Sequence, residues 1–393
     1  MNLPCKICGF SNTYNFISRK SVPVQQNVIY RSQEDSLAAP VDELNMFICK
    51  DCGFVFNSAY DINKIGFGPT YDNVQDYSAV VLAYQDKLIK HLLIEQKIQN
   101  KKILEIGCGQ GSFLKQLVEK SEYGNTGLGF DPSYRGEGDL FQGRLKIEPS
   151  YFPKDDPAIQ ADVVICRQVI DYVSDPVSFL TDIRRTLVNS SQSRLFIETD
   201  CVDWILTNNA FWDIYYECGS RFSIGSMKKA SALAGLQLVS IEHVFEGKYL
   251  WFEMCICSDQ QMATEKPREL VEKASQFREN EKRMVQSVKS KIASAIPKTV
   301  AIWGASAKGT TLARLVDPGR ELIRCLVDIN PAKQGCFTPV TGHPIVHYRD
   351  LPQLGVTTVI VTNSNYFSEI SDILVSARVE INLLDLENCL EWY

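Results

Sequence analysis

Two cysteine pairs and one glycine-rich turn are the residues best placed to do chemistry. Cys5-Lys-Ile-Cys8-Gly and Cys49-Lys-Asp-Cys52-Gly repeat one C-x-x-C-G pattern. Such a turn aims two thiolates at one ion, and the following glycine tolerates the tight backbone. Four thiolates from Cys5, Cys8, Cys49 and Cys52 close a tetrahedral structural Zn²⁺ site, with no position left open for catalysis. The 40 residues between Cys8 and Cys49 include polar, loop-like Ser32-Gln-Glu-Asp-Ser36, which predicts a treble of short strands with an excursion. Two unrelated redox pairs are the alternative. The second feature is Ile103-Leu-Glu-Ile-Gly-Cys-Gly-Gln-Gly111. Ile103, Leu104 and Ile106 end a buried strand, and Gly107, Gly109 and Gly111 turn the chain into a helix. A turn of this kind lets a ligand approach the backbone with no Cβ in the way.

These residues need α/β scaffolding, and the chain supplies it twice. At 393 residues, two or three domains are expected. A helix is predicted from Ala79 to Gln99, with Val80, Leu82, Leu88, Leu92 and Leu93 at helical spacing, and α/β alternation from Lys102 to Cys257. Met262 to Ala295 reads as a connecting helix, largely bracketed by Pro267 and Pro297. A second strand–turn–helix unit opens at Thr299-Val-Ala-Ile-Trp-Gly304-Ala-Ser-Ala-Lys-Gly309, with later strands ending at Asp328 and Val361. Its turn offers Ser306, Lys308 or backbone N–H groups to a phosphate or hydroxyl, and a purely structural role stays open. The expected division is 1–66 zinc segment, 67–258 ligand-binding domain, 259–297 connecting helix and 298–393 C-terminal Rossmann-like domain. The formal charge of −6 and pI near 5.5 argue against a nucleic-acid partner. No apolar run reaches membrane-spanning length, the start lacks a signal-peptide pattern, and 13 cysteines point to a reducing compartment, read as cytoplasmic.

The pattern E-x-G-x-G-x-G over Glu105–Gly111 resembles the first motif of class I methyltransferases. The dinucleotide fingerprint instead spaces its third glycine three residues after the second. The resemblance implies S-adenosylmethionine (SAM) as cofactor, with the glycines against its methionyl part. Asp131, in Gly-Leu-Gly-Phe-Asp-Pro-Ser and 20 residues after Gly111, takes the place of the carboxylate that holds the ribose hydroxyls. Glu105 and Gln168 join the cofactor set by position.

The order of cysteine segment, SAM domain and G-A-S-A-K-G unit is similar over essentially the whole chain to the sugar C-methyltransferases acting on nucleotide-linked keto-deoxysugars. Val327-Asp-Ile-Asn-Pro-Ala-Lys-Gln-Gly335, Gly342-His-Pro-Ile345 and Asn363-Ser-Asn-Tyr366 look like that family's C-terminal blocks. This implies an α/β fold: zinc segment, class I methyltransferase domain and C-terminal Rossmann-like domain. It also implies a small-molecule, nucleotide-linked acceptor, touched by Tyr216, Ser306, Lys308, Asn363 and Tyr366. The family's Tyr-x-Glu-His block reads Tyr215-Tyr216-Glu217-Cys218 here, so the histidine base is missing. Desolvated between tyrosines, Glu217 is the candidate base, with Tyr215, Tyr71 or Tyr172 donating to an oxyanion. O- or N-methylation, or a non-catalytic SAM-binding partner protein, are the alternatives.

Overall fold

The computed structural model describes residues 3–153, 156–257, 266–294 and 299–388, arranged around three sheets. The first joins β1 (Thr13–Pro23), β2 (Val41–Cys49), β3 (Val55–Asn57) and the distant β10 (Ser220–Arg221), in that order. β1 and β2 are one long antiparallel hairpin, pairing Thr13 with Cys49 at its root and Pro23 with Val41 near its tip. The strands are longer than the expected treble because Leu44, Met46 and Ile48 alternate inward along β2 and bury one whole face. The excursion is confined to residues 24–40. It carries the helix Gln33–Leu37 and reaches the C-terminal unit, where Gln33 Nε2 donates to the Gly342 carbonyl at 3.0 Å.

The second sheet contains β4 (Lys102–Ile106), β5 (Thr126–Phe130), β6 (Asp139–Leu140), β7 (Leu145–Glu148), β8 (Val163–Arg167), β9 (Arg194–Asp200), β11 (Leu236–Val244) and β12 (Tyr249–Ile256). Their order is β11-β12-β9-β8-β4-β5-β7-β6. β7, β5, β4, β8 and β9 run parallel, and β12 is antiparallel to β9. Covered on both faces, the central strands read as unbroken apolar runs such as Val163-Val-Ile-Cys166. The direction of winding reverses between β4 and β8. Open α/β sheets take their ligands at the carboxyl ends of the strands beside such a switch.

Ser78 caps the helix Ala79–Lys90, its Oγ accepting the Val81 N–H. The helix then passes into a π turn, His91–Glu95, and ends short of the expected Gln99. Lys97 and Asn100 take left-handed backbone there (φ 51° and 55°), which no helix continues through. The connecting helix runs Arg268–Ser294, and the parts of its expected span at Met262–Glu265 and Ala295 lie outside the described residues. Its buried stripe (Leu270, Ala274, Phe277, Met284, Val288, Ile292) faces the core. Glu281 on it pairs with buried Arg19 at 2.7 Å, and Arg19 also donates to the Phe211 and Ile214 carbonyls. No described helix is long and apolar enough to cross a membrane.

The third sheet is all parallel: β15 (Ile345–Val346), β14 (Ile323–Val327), β13 (Val300–Trp303), β16 (Thr358–Val361) and β17 (Asn382–Asp385), in that order. Gly309, in the helix Ala307–Val316, lets that helix close onto the β13 turn. A Cβ there would stand 1.9 Å from the Gly304 carbonyl oxygen. Gly309→Ala is therefore expected to destabilise this unit by about 1–3 kcal/mol, the usual range for overpacking. Unfolding at the wild-type denaturant midpoint would show that the helix can back away freely.

Candidate active site

A cavity of about 540 Å³ opens over the carboxyl ends of β4, β5, β8 and β9. Gly107, Gly109, Glu105, Asp131 and Gln168 line it, and so do Tyr71 and Tyr172. The Gly109 N–H donates to Asp131 Oδ2 at 2.8 Å, while Ser133 donates its N–H and its hydroxyl to Oδ1 at 2.8 and 2.6 Å. Asp131 thus fastens the glycine loop to the strand beside it; Oδ1 has both lone pairs engaged, and Oδ2 keeps one for a ligand hydroxyl. A Cβ built on Gly109 would find nothing within 4 Å, so the backbone is open to the cavity. Gly111 differs. It is not among the lining residues, and a Cβ there would strike Ile147 Cδ1 at 2.4 Å, at a φ of +75°. Its glycine serves the helix start rather than a ligand.

Glu105 is buried with Oε2 unpartnered, and burial pushes its carboxyl up to about 7 against the pull of Arg167. An orphaned buried oxygen in an open cavity is a fit for a cationic ligand group, such as an α-ammonium. Gln168 adopts a left-handed backbone (φ 54°), and its amide reaches Glu198 Oε1 at 3.3 Å. Asp131→Ala is expected to weaken SAM binding by about 1.5–3 kcal/mol, the range for hydrogen bonds to a charged group. Calorimetry giving wild-type affinity would place the ribose on other residues.

Glu217 lies behind the cavity wall and is fully buried. Oε2 accepts the Gln26 N–H at 3.1 Å, and Oε1 has no partner within hydrogen-bond distance. Tyr71 and the Gln25 amide face the carboxylate, and Lys333 attracts it from the C-terminal unit. Burial dominates and lifts Glu217 to about 7. The tyrosines between it and the cavity are Tyr71 and Tyr172, which lie with Phe67 in edge-on aromatic contacts.

The chain neighbours of Glu217 do not share this setting. Tyr216 points away: its hydroxyl binds the Asp42 carboxylate and the Ala59 carbonyl, each at 3.0 Å, bracing the first sheet. Tyr215 carries the Arg221 guanidinium 5.0 Å above its ring and does not line the cavity. Burial pushes the Cys218 thiol up to about 12, leaving it no base at neutral pH.

The four C-terminal residues expected at the acceptor also fall outside the lining. Lys308 pairs with Asp213 at 2.8 Å, its partly buried ammonium held by that buried carboxylate rather than by the cavity. Asn363 Oδ1 accepts from Lys248 Nζ at 2.5 Å and from the Asn365 N–H. Tyr366 packs on Phe245, and Ser306 stands at the start of the Ala307–Val316 helix with no side-chain cap bond.

Several lining residues escaped the sequence reading. Arg167 stacks on Phe113 at 4.2 Å and pairs with Glu198 at 3.5 Å, and Tyr84 donates to Glu198. Charged residues at or near the carboxyl ends of apolar strands were the available signal, since that edge of the sheet is where ligands sit.

Cys5, Cys8, Cys49 and Cys52 meet at the hairpin root, all four Sγ atoms within 4.8 Å of one another. Cys5–Cys52 and Cys8–Cys49 stand at 3.6 and 3.5 Å. A disulfide needs about 2.05 Å. Sulfurs at the corners of a tetrahedron with metal–sulfur bonds of about 2.3 Å stand about 3.8 Å apart. The cluster has the dimensions to hold a metal ion.

Residues 81–241 match the family model of a methyltransferase domain, and residues 258–378 match that of the C-methyltransferase C-terminal domain. The chain is a SAM-dependent methyltransferase. C-methyltransferase NovU of Streptomyces niveus is 23% identical to it over 363 residues, 87% of this chain and 84% of that protein. Among solved structures, the N,N-8-amino-8-demethyl-D-riboflavin dimethyltransferase RosA of Streptomyces davawensis overlaps 45% of the methyltransferase and 54% of its own chain, at 16% identity and a TM-score of 0.36. Magnesium protoporphyrin IX methyltransferase of Synechocystis PCC 6803 overlaps 50% and 91%, at 13% identity and a TM-score of 0.36.

Proposed function

We propose that this methyltransferase methylates a carbon beside the ketone of a nucleotide-linked sugar, with Glu217 as the base. The observation that carries the reading is Glu217 itself, a buried carboxylate with one free oxygen, held near neutral behind the cavity's tyrosines. The nucleotide linkage rests on likeness to the sugar C-methyltransferases. SAM, when bound on Gly107, Gly109 and Asp131, supplies an electrophilic methyl group.

The chain's own residues do the rest. Glu217 takes the proton through Tyr71, which stands between it and the cavity: the Tyr71 oxygen accepts the proton from the carbon next to the carbonyl as its hydroxyl proton passes to Glu217, and the C–H electron pair becomes the enolate. Tyr172 donates to the developing oxyanion from the cavity wall. Held on Gly107, Gly109 and Asp131, SAM would supply the methyl group to the enolate carbon and leave as the neutral thioether, and the proton left on Glu217 returns to solvent. With Cys218 where the family has histidine, the neighbouring thiol offers no second base. The four cysteines at the hairpin root hold one Zn²⁺ with a structural role.

Incubation with SAM and keto-deoxysugar nucleotides, read by mass spectrometry for one added methyl group, tests the activity. NMR placement of that methyl on oxygen or nitrogen would overturn carbon as the acceptor atom.

A further inference from the structure

Residues 67–85 form one wall of the cavity, contributing Phe67, Tyr71, Gln75, Asp76, Val81 and Tyr84 among others. Two contacts from the C-terminal unit hold this wall. Glu369, in the first turn of the helix Phe367–Ser376, accepts the Ser78 hydroxyl at 2.6 Å and the Ala79 N–H at 2.5 Å. It therefore satisfies the start of the Ala79–Lys90 helix from outside, next to the helix's own Ser78 cap. Asn330, following β14, donates its side-chain amide to buried Asp72 Oδ1 at 2.9 Å. The other oxygen of Asp72 takes Arg135 at 3.1 Å, and Arg135 also binds the Pro69 carbonyl at 3.0 Å. Arg135 lines the cavity and belongs to the same loop as Asp131. Asp72 is therefore a three-way junction of wall, cofactor loop and C-terminal unit.

We propose that Asn330 and Glu369 are positioning residues for the cofactor: docking of the C-terminal unit shapes the SAM cavity, and cofactor binding in turn tightens that docking. Neither residue lines the cavity. Their effect passes through Asp72 and the start of the Ala79–Lys90 helix. A ligand that orders the wall favours the docked unit, and by linkage the docked unit favours the ligand to the same extent. The proposal rests on SAM occupying this cavity.

The test uses the full chain and S-adenosylhomocysteine as probe. Asn330→Ala and Glu369→Ala are each expected to raise its Kd by about 5–30-fold, within the usual range of coupling between sites. Glu369→Gln, which keeps one acceptor oxygen and the side-chain shape, is expected to raise it less. In wild type, the probe should slow amide exchange in the helix Phe367–Ser376, and Glu369→Ala should abolish that slowing. A purely structural role would lower stability without moving this probe-dependent protection. Wild-type Kd values in all three variants, or wild-type exchange in Phe367–Ser376 that ignores the probe, would overturn the coupling alone. Failure of the wild type to bind the probe would overturn the cofactor reading and the coupling with it.

Discussion

Glu217→Gln is expected to cut methyl transfer by about 10²–10⁴-fold, the usual span for loss of a general base, and to leave SAM binding near wild type. Gln keeps the shape and the bond from the Gln26 N–H, so the fold around it has no reason to move. The pH profile gives an independent check. Burial raises the folded carboxyl from 4.5 to about 7, so the wild-type rate should climb as pH rises through about 7 and then level. The Gln variant should lose that limb. Stability runs the other way. A raised folded pKa gives stability that is complete below about 4.5 and is lost as pH rises through about 7. Glu105 and Asp171 are also raised to about 7 by burial, so the slope is shared and Glu217→Gln should flatten only part of it. A variant that turns over at the wild-type rate would make Glu217 structural and leave the reaction to positioning alone.

Removing the metal is expected to have the largest effect on stability. Structural zinc contributes about 10–16 kcal/mol in small finger peptides. Here the hairpin also has its own buried face, so a smaller share falls to the ion. A loss of about 5 kcal/mol would still lower Tm by about 10–20 °C in a domain of 150–250 residues. Elemental analysis should give one zinc per chain, and chelation or Cys49→Ser should produce the shift. An unchanged Tm after chelation, with no zinc found, would reduce the four thiols to packing. Transfer activity should fall together with stability, because the hairpin tip carries Gln26, whose N–H holds the base.

The parts of this arrangement that were legible in the sequence are those fixed by local spacing. The glycine turn after β4 and the carboxylate after β5 had to be neighbours once both strands were parallel and adjacent, and Gly109 meets Asp131 at 2.8 Å. Two C-x-x-C turns on the arms of one hairpin had to converge. What was not legible is the direction of side chains in irregular backbone. Tyr215, Tyr216 and Glu217 are consecutive, yet one lies under Arg221, one braces Asp42 and one is buried behind the cavity. No periodicity governs such a segment, so only tertiary packing decides. The C-terminal residues show a second limit. Lys308 and Asn363 have the chemistry to hold a substrate, but Asp213 and Lys248 hold them first. A partner distant in sequence leaves no mark on the residue it captures.

The first sheet has a consequence for the order in which the protein is made. Its hairpin is complete within the first 57 residues, but its fourth strand begins at Ser220, 163 residues after Asn57. A ribosome adding about 5–20 residues per second needs roughly 8–30 s to supply that strand. The seats for the hairpin tip at Phe337 and Gly342 arrive later still. During that wait the edge strand β3 has open backbone on one side, a template for wrong pairing. The four cysteines span only residues 5–52, so a metal ion can pin the turn ahead of β1 to the turn between β2 and β3 as soon as they emerge. Zinc supply during synthesis, more than zinc content afterwards, should then set the yield of soluble protein.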